Sequence, residues 1–155
     1  MEMRKIKEQD VSVLGMGCMR LPLKADSNEI DYDQTAKMID LAIKKGITYF
    51  DTAYPYHNQK SEGAVKRCLV DRYPREKFYL ADKMPVWNVN EYADYERLFN
   101  EQLERCGVEY FDYCLVHSVT AKNYEKHVRL HSFEELRKLK ELPAGSKVLF
   151  VNMTE

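Results

Sequence analysis

The stretch GITYFDTAYPYHNQKSE, Gly46 to Glu62, decides how the chain folds. Its apolar run from Ile47 to Phe50 has the β-branched and aromatic density of a strand, yet it ends on the carboxylate of Asp51. Tyr54, Tyr56 and His57 follow at once. A buried strand normally hands over to turn residues, so an ionisable group in this place marks a strand end that faces a site.

Working outward, three more segments have the same dense Val, Ile, Leu, Phe and Tyr content without clean polar alternation: VSVLGMG (11–17), KFYLADKM (77–84) and YFDYCLVHS (110–118). That pattern suits parallel strands covered on both faces. Helix-length segments separate them. DYDQTAKMIDLAIKK starts at Asp31 or Asp33 as N-cap, repeats Ala36, Ile39 and Ile43 on one face and stops at Gly46. SEGAVKRCLVDRY starts at Ser61 and stops before Pro74, and EYADYERLFNEQLERC stops at Gly107. The joints KKGITYFD and RCGVEYFD leave their helices in the same way, as in a repeated strand–helix architecture. The tail adds a helix at about 132–141, a turn at Pro143 to Ser146 and a possible fifth strand, KVLFVN. The expected class is α/β, with a parallel sheet in one domain, residues 1–155.

Composition narrows the functions. With 155 residues, 45% apolar and 32% charged, and a net charge of −1, the chain has an ordinary globular balance and no basic stripe for a phosphate backbone or an anionic bilayer. Nucleic acid and membrane are excluded as expected partners. The start, MEMRKIKEQD, has no apolar leader segment, and no apolar run reaches membrane-spanning length, so the expected compartment is cytoplasmic. Cys18, Cys68, Cys106 and Cys114 form no C-x-x-C pair and read as small core residues, not as metal or iron-sulfur ligands. His127 and His131, four apart on an expected helix, lack a third ligand for zinc. GMG at 15–17 is too short for a dinucleotide phosphate loop, and Phe133, Leu136 and Leu139 read as a packed helix face.

Three strands end on an ionisable residue: Asp51, Lys83 and His117. Parallel neighbours lie about 4.8 Å apart and put their C-terminal ends at one edge, where βα folds build their sites, so the three side chains can converge. An ammonium beside a phenol favours the phenolate and makes a tyrosine a usable general acid; Asp51 would hold the lysine, and His117 would hydrogen-bond a substrate oxygen. Tyr49, Tyr54 and Tyr56 are all near enough in sequence to supply the phenol, with Tyr49 expected below the site. Asp112 reads as structural.

LGMGCMRLP, FDTAYPYHNQKSE, FYLADKMP and YCLVHS together resemble the successive blocks of the aldo-keto reductase family, in particular its bacterial branch that often carries a C-terminal ferredoxin-like segment. The resemblance runs from about residue 3 to about residue 140. It implies a partial (β/α)8 TIM barrel of about four βα units plus a possible fifth strand, with Asp51, Tyr56, Lys83 and His117 as the catalytic set. It also implies NADP(H) or NAD(H) as cofactor, a small carbonyl compound as substrate, and Gly17, Cys18, Met19 and Asp51 bordering the nicotinamide. A complete barrel takes about 250 residues. The expectation is therefore of a truncated half, with open edges that favour self-association and an interior face, including Tyr49, Tyr79 and Tyr113, left bare. Two alternatives accompany the reductase reading: a catalytically silent fragment or interaction module, and a barrel enzyme forming a Schiff base at Lys83.

Overall fold

A computed structural model describes residues 1–6 and 8–139. The chain opens with an antiparallel hairpin, β1 (Met3–Ile6) and β2 (Gln9–Ser12), paired from Met3 with Ser12 to Ile6 with Gln9. Alternating elements follow: β3 (Gly15–Gly17), α1 (Tyr32–Lys44), β4 (Tyr49–Asp51), α2 (Ser61–Val65), β5 (Tyr79–Met84), α3 (Ala93–Cys106) and β6 (Tyr113–Val116). Two short helices, α4 (Tyr124–Arg129) and α5 (Ser132–Leu139), come last among the described residues. β3, β4, β5 and β6 form one parallel sheet in chain order, as the strand–helix alternation predicts.

The segment expected as one strand at 11–17 divides in two. Ser12 explains the break: its hydroxyl donates to Leu14 O (2.7 Å) and accepts from Thr48 N (2.9 Å), while its own N–H donates to Thr48 Oγ1 (3.0 Å). These side-chain bonds replace ladder partners, so the chain turns at the exposed Val13 and Leu14 before re-entering the sheet at Gly15. Of the two cap candidates for α1, Asp31 takes the position and accepts from Gln34 N (2.9 Å). Gly46 and Gly107 sit at φ +83° and +66°, where a side chain would strain the backbone, and there α1 and α3 end. Ser61 does not cap α2, which follows Lys60, because its hydroxyl points inward to Cys18 O (3.1 Å) and Thr52 Oγ1 (2.9 Å). The expected long helix there closes after Val65 into a wider turn over Lys66–Val70.

His127 and His131 do not share a helix: α4 stops at Arg129, and His131 lies beyond it at φ +47°. Among the described residues no group of three or more His, Cys, Asp or Glu gathers as a metal site, and no helix is long and apolar enough to cross a membrane. The four cysteines are free and buried. The expected turn at 143–146 and the fifth strand lie outside the described residues.

Strand period sorts the side chains into two sets. Phe50, Leu80, Met84, Cys114 and Val116 face the helices and pack with Ile39, Leu69, Leu98, Phe99 and Phe111 in one core. Burying each Phe or Leu there contributes about 2–3 kcal/mol. Tyr49, Tyr79, Ala81 and Tyr113 occupy the opposite face with Val11 of β2. That face is not bare, as the truncated-barrel expectation had it: the N-terminal hairpin floors it, Tyr113 Oη donates to Gln9 Oε1 (2.7 Å), and Tyr113 is 4% exposed.

Candidate active site

The floor formed by Tyr49, Tyr79 and Tyr113 leaves the upper positions of the same face for polar groups. Gly17 pairs with Asp51 and Asp51 with Ala81, while Lys83 stands two residues higher, opposite Leu115. His117 is two residues beyond Leu115, held by its own N–H to Met84 O (3.2 Å). Equal parity therefore sends Asp51, Lys83 and His117 into one pocket at the C-terminal edge of the sheet.

Lys83 organises it. Its ammonium is 2.6 Å from Asp51 Oδ1, donates to Thr52 O at 2.9 Å and to Tyr56 Oη at 3.2 Å. Three protons meet three acceptors, so the nitrogen has one orientation. The residue is 6% exposed, which removes water as a competing partner. His117 meets the Tyr56 ring edge to face at 6.0 Å between centroids, with Trp87 on another side at 5.0 Å. Burial, and then the Lys83 charge, push the His117 imidazole down to about 4, so it is neutral at ordinary pH. Its Nδ1 is buried without a hydrogen-bond partner among the described residues.

Geometry separates the three tyrosines. Tyr49 lies in the floor. Tyr54 turns away from the pocket and is 8% exposed; the Arg105 guanidinium sits 4.4 Å over its ring, and its hydroxyl is 3.4 Å from Glu101 Oε1. Tyr56 is the one whose hydroxyl reaches Lys83.

The expected cofactor border is the loop leaving β3. Cys18 N donates to Asp51 O (2.7 Å) and Leu21 N to His57 Nε2 (2.9 Å), so the loop is stapled to both sides of Tyr56. His57, Asn58 and Gln59 all adopt left-handed φ, between +51° and +65°, in a tight turn that brings the imidazole back toward Leu21. A Cβ at Gly17 would meet nothing within 4 Å, so the end of β3 opens on free space, and Met19 is 56% exposed beside it. The Cys18 thiol is buried and, through burial and the Asp51 charge, pushed up to about 12, so this residue offers backbone rather than a nucleophile.

Sequence reasoning missed Thr52, which acts through its carbonyl and has no side-chain signal, and Trp87, whose signal was a large aromatic just past a strand ending in lysine. It also missed His57 as a loop staple. Asp112 is structural as expected: it pairs with Arg75 (2.5 Å) and accepts from Leu80 N (2.8 Å), far down the strand.

Residues 13–146 match the sequence model of the aldo/keto reductase family. A Glycine max protein named probable aldo-keto reductase 1 is 32% identical over 154 residues, covering 94% of this chain and 42% of the relative. The NAD(P)H-dependent D-xylose reductase of Scheffersomyces stipitis is 32% identical over 111 residues, covering 70% of this chain and 31% of that protein. Among solved structures, the holo form of a Bacillus halodurans aldo-keto reductase superposes with a TM-score of 0.74 at 22% identity, covering 97% of this chain and 51% of that one. A Klebsiella pneumoniae aldo-keto reductase in complex with NADPH gives 0.72 at 22% identity, covering 93% and 46%. The chain thus spans less than half the length of these curated relatives and about half of these solved chains, and its strands and helices are part of a (β/α)8 barrel.

Proposed function

The chain belongs to the aldo-keto reductase family, and from that premise we propose that its strand-end cluster serves NAD(P)H-dependent reduction of a small aldehyde or ketone, with Tyr56 as general acid. One observation carries the reading: a single ammonium, Lys83, engages both Asp51 and the Tyr56 hydroxyl. An N–H donor on the phenol oxygen stabilises that oxygen as it releases its proton, and Asp51 fixes the donor in place. Neutral His117 offers a ring N–H to a carbonyl oxygen lying beside Tyr56. The open space at Gly17, with the backbone of Cys18 and Met19 and the Asp51 side chain around it, fits a flat nicotinamide ring at the end of β3. When bound, the reduced nicotinamide supplies the hydride to the carbonyl carbon. Tyr56 supplies the proton to the carbonyl oxygen, with the Trp87 ring packed beside His117 as one wall and the tyrosine floor below.

The test is NADPH oxidation with a panel of aldehydes and ketones, comparing the wild type with Tyr56→Phe. The reading expects the substitution to slow turnover by about 10²- to 10⁴-fold with cofactor affinity unchanged. Equal rates would remove Tyr56 from the chemistry. The deep burial of the Lys83–Asp51 pair, with side chains 8% and 25% exposed, favours a second reading, a catalytically silent unit that keeps the cluster for stability. Absence of turnover by a folded wild type that titrates no NADPH supports that second reading.

A further inference from the structure

Behind Lys83 lies a polar group that the proposed reaction does not use. The even positions of β5 face the helices, so Asp82 projects away from the pocket into the layer between β5, α2 and α3. There it is fully buried beside Glu62 of α2 and Gln102 of α3, both also fully buried. One guanidinium reaches this group: Arg105 Nη1 donates to Glu62 Oε2 at 3.1 Å, while Nη2 is turned to Glu101. The ammonium of Lys83 is on the other face, taken by Asp51. Among the described residues, two carboxyls are thus buried against one cation.

The hydrogen bonds do not close either. Glu62 Oε1 and Gln102 Oε1 are buried without a partner among the described residues, and both are acceptors. The Glu62 and Asp82 carboxyls interact directly as two acceptors, and the further side-chain donor to Asp82 among the described residues is the weak thiol of Cys106, 3.8 Å from Oδ2. What Glu62 Oε1 lacks is a proton between it and Asp82.

The same group holds the lysine's backbone. β4 leaves the sheet after Asp51, and the last bond on that side is Thr52 N to Ala81 O (2.9 Å). Lys83, two residues on, points its N–H and C=O toward the same side, where no strand remains. Asp82 Oδ1 accepts the N–H at 2.7 Å, and Gln102 Nε2 donates to the C=O at 3.1 Å.

We propose that Glu62 and Asp82 share one proton and, with Gln102, form the positioning group for Lys83, standing in for the strand that β4 no longer provides; the proposal rests on the reading of Lys83 as a site residue. Burial raises both carboxyls, Asp82 well above the usual carboxylate range with the Glu62 charge as second cause, while Arg105 opposes the rise at Glu62. A shared proton makes a specific demand on variants. In D82N or E62Q an amide N–H replaces the proton and the remaining carboxylate pairs with it. In the double variant an amide N–H₂ must face either the other amide's N–H₂ or the Arg105 guanidinium.

Infrared spectroscopy of the full chain at neutral pH reads the carbonyl stretch of a neutral carboxylic acid apart from ionised carboxylates. The wild type is expected to show it, and D82N and E62Q each to lose it while staying folded, with the double variant less stable than either. A wild-type spectrum without the band, or a band that survives both single variants, overturns the shared proton. Hydrogen exchange at the Lys83 amide tests positioning. D82N, which keeps the acceptor, is expected to leave it protected, and D82A to speed it about tenfold or more relative to neighbouring amides, the loss of one charge-assisted hydrogen bond. Unchanged exchange in D82A overturns the positioning role. Where D82A does not fold, the Lys83 amide proton resonance in D82N gives the same reading, shifting as the acceptor changes or staying fixed if Asp82 does not hold it. Neither readout needs cofactor or turnover, so the outcome is separate from that of Tyr56→Phe.

Discussion

Lys83→Met removes the ammonium and keeps most of the stem that threads between β4 and β5. The charge it removes is 2.6 Å from Asp51, with the two side chains 8% and 25% exposed. At an effective dielectric of about 20, unit charges at that separation attract by roughly 6 kcal/mol, and desolvating the two ions takes back several kcal/mol of this. The intact pair is therefore worth little net, but breaking it is expensive, because the surviving charge keeps its desolvation cost. Orphaning one partner of a fully buried pair costs about 3–5 kcal/mol. Asp51 keeps a quarter of its side chain in water, so Lys83→Met is expected at the lower end, about 3 kcal/mol. Asp51→Asn leaves the ammonium with Thr52 O and Tyr56 Oη and should cost less, about 2 kcal/mol. The double variant carries no unpaired charge, so its loss falls short of the sum. Urea denaturation of the four proteins at neutral pH gives the coupling directly, with about 2–3 kcal/mol expected. Additivity within about 0.5 kcal/mol would refute the reasoning, since it would mean that Asp51 does not hold the lysine.

His117 predicts a pH dependence. Its folded value, about 4, is below the 6.5 of a free imidazole, so the unfolded chain takes up a proton that the folded one refuses. The neutral ring's contribution is complete above about 6.5 and is lost as pH falls toward 4, about 2 kcal/mol once the ring's partial exposure is discounted. His117→Gln should flatten that part of the stability curve, as read from urea midpoints between pH about 7 and about 4.5. Gly107→Ala forces a side chain onto φ +66° and against the Lys66 methylenes at 2.8–3.0 Å. Lys66 can swing away but the backbone cannot, so a loss of about 1–2 kcal/mol, or about 3–6 °C in a thermal melt, is expected.

The ends of α1 and α3 were legible because they depend on one residue each: Gly46 and Gly107 announce a left-handed stop that few other residues tolerate. The convergence of Asp51, Lys83 and His117 was legible because strand period and parallel direction fix it before any packing is known. The choice between Tyr54 and Tyr56 came from the family resemblance alone, since physically it turns on Arg105 and Glu101, 51 and 47 residues from Tyr54, claiming one ring and leaving the other to Lys83. The hairpin was hidden because VSVLGMG has a single polar side chain, and the break comes from that hydroxyl of Ser12 meeting Thr48 across the fold. Asp82 left a trace that went unread: a carboxylate at an even position of FYLADKM, where every neighbour of the same parity is apolar.

The two chain neighbours Asp82 and Lys83 make β5 a partition, with acid on one side and base on the other. A slip of a single residue against β4 or β6 would exchange them, driving the lysine stem and ammonium into the buried layer under the helices and setting a second carboxyl against Asp51. Each misaligned pairing is thereby penalised by the repulsion between two carboxyls and by the loss of the Lys83–Asp51 pair. The residues that equip the pocket also proofread the alignment of the sheet that carries it.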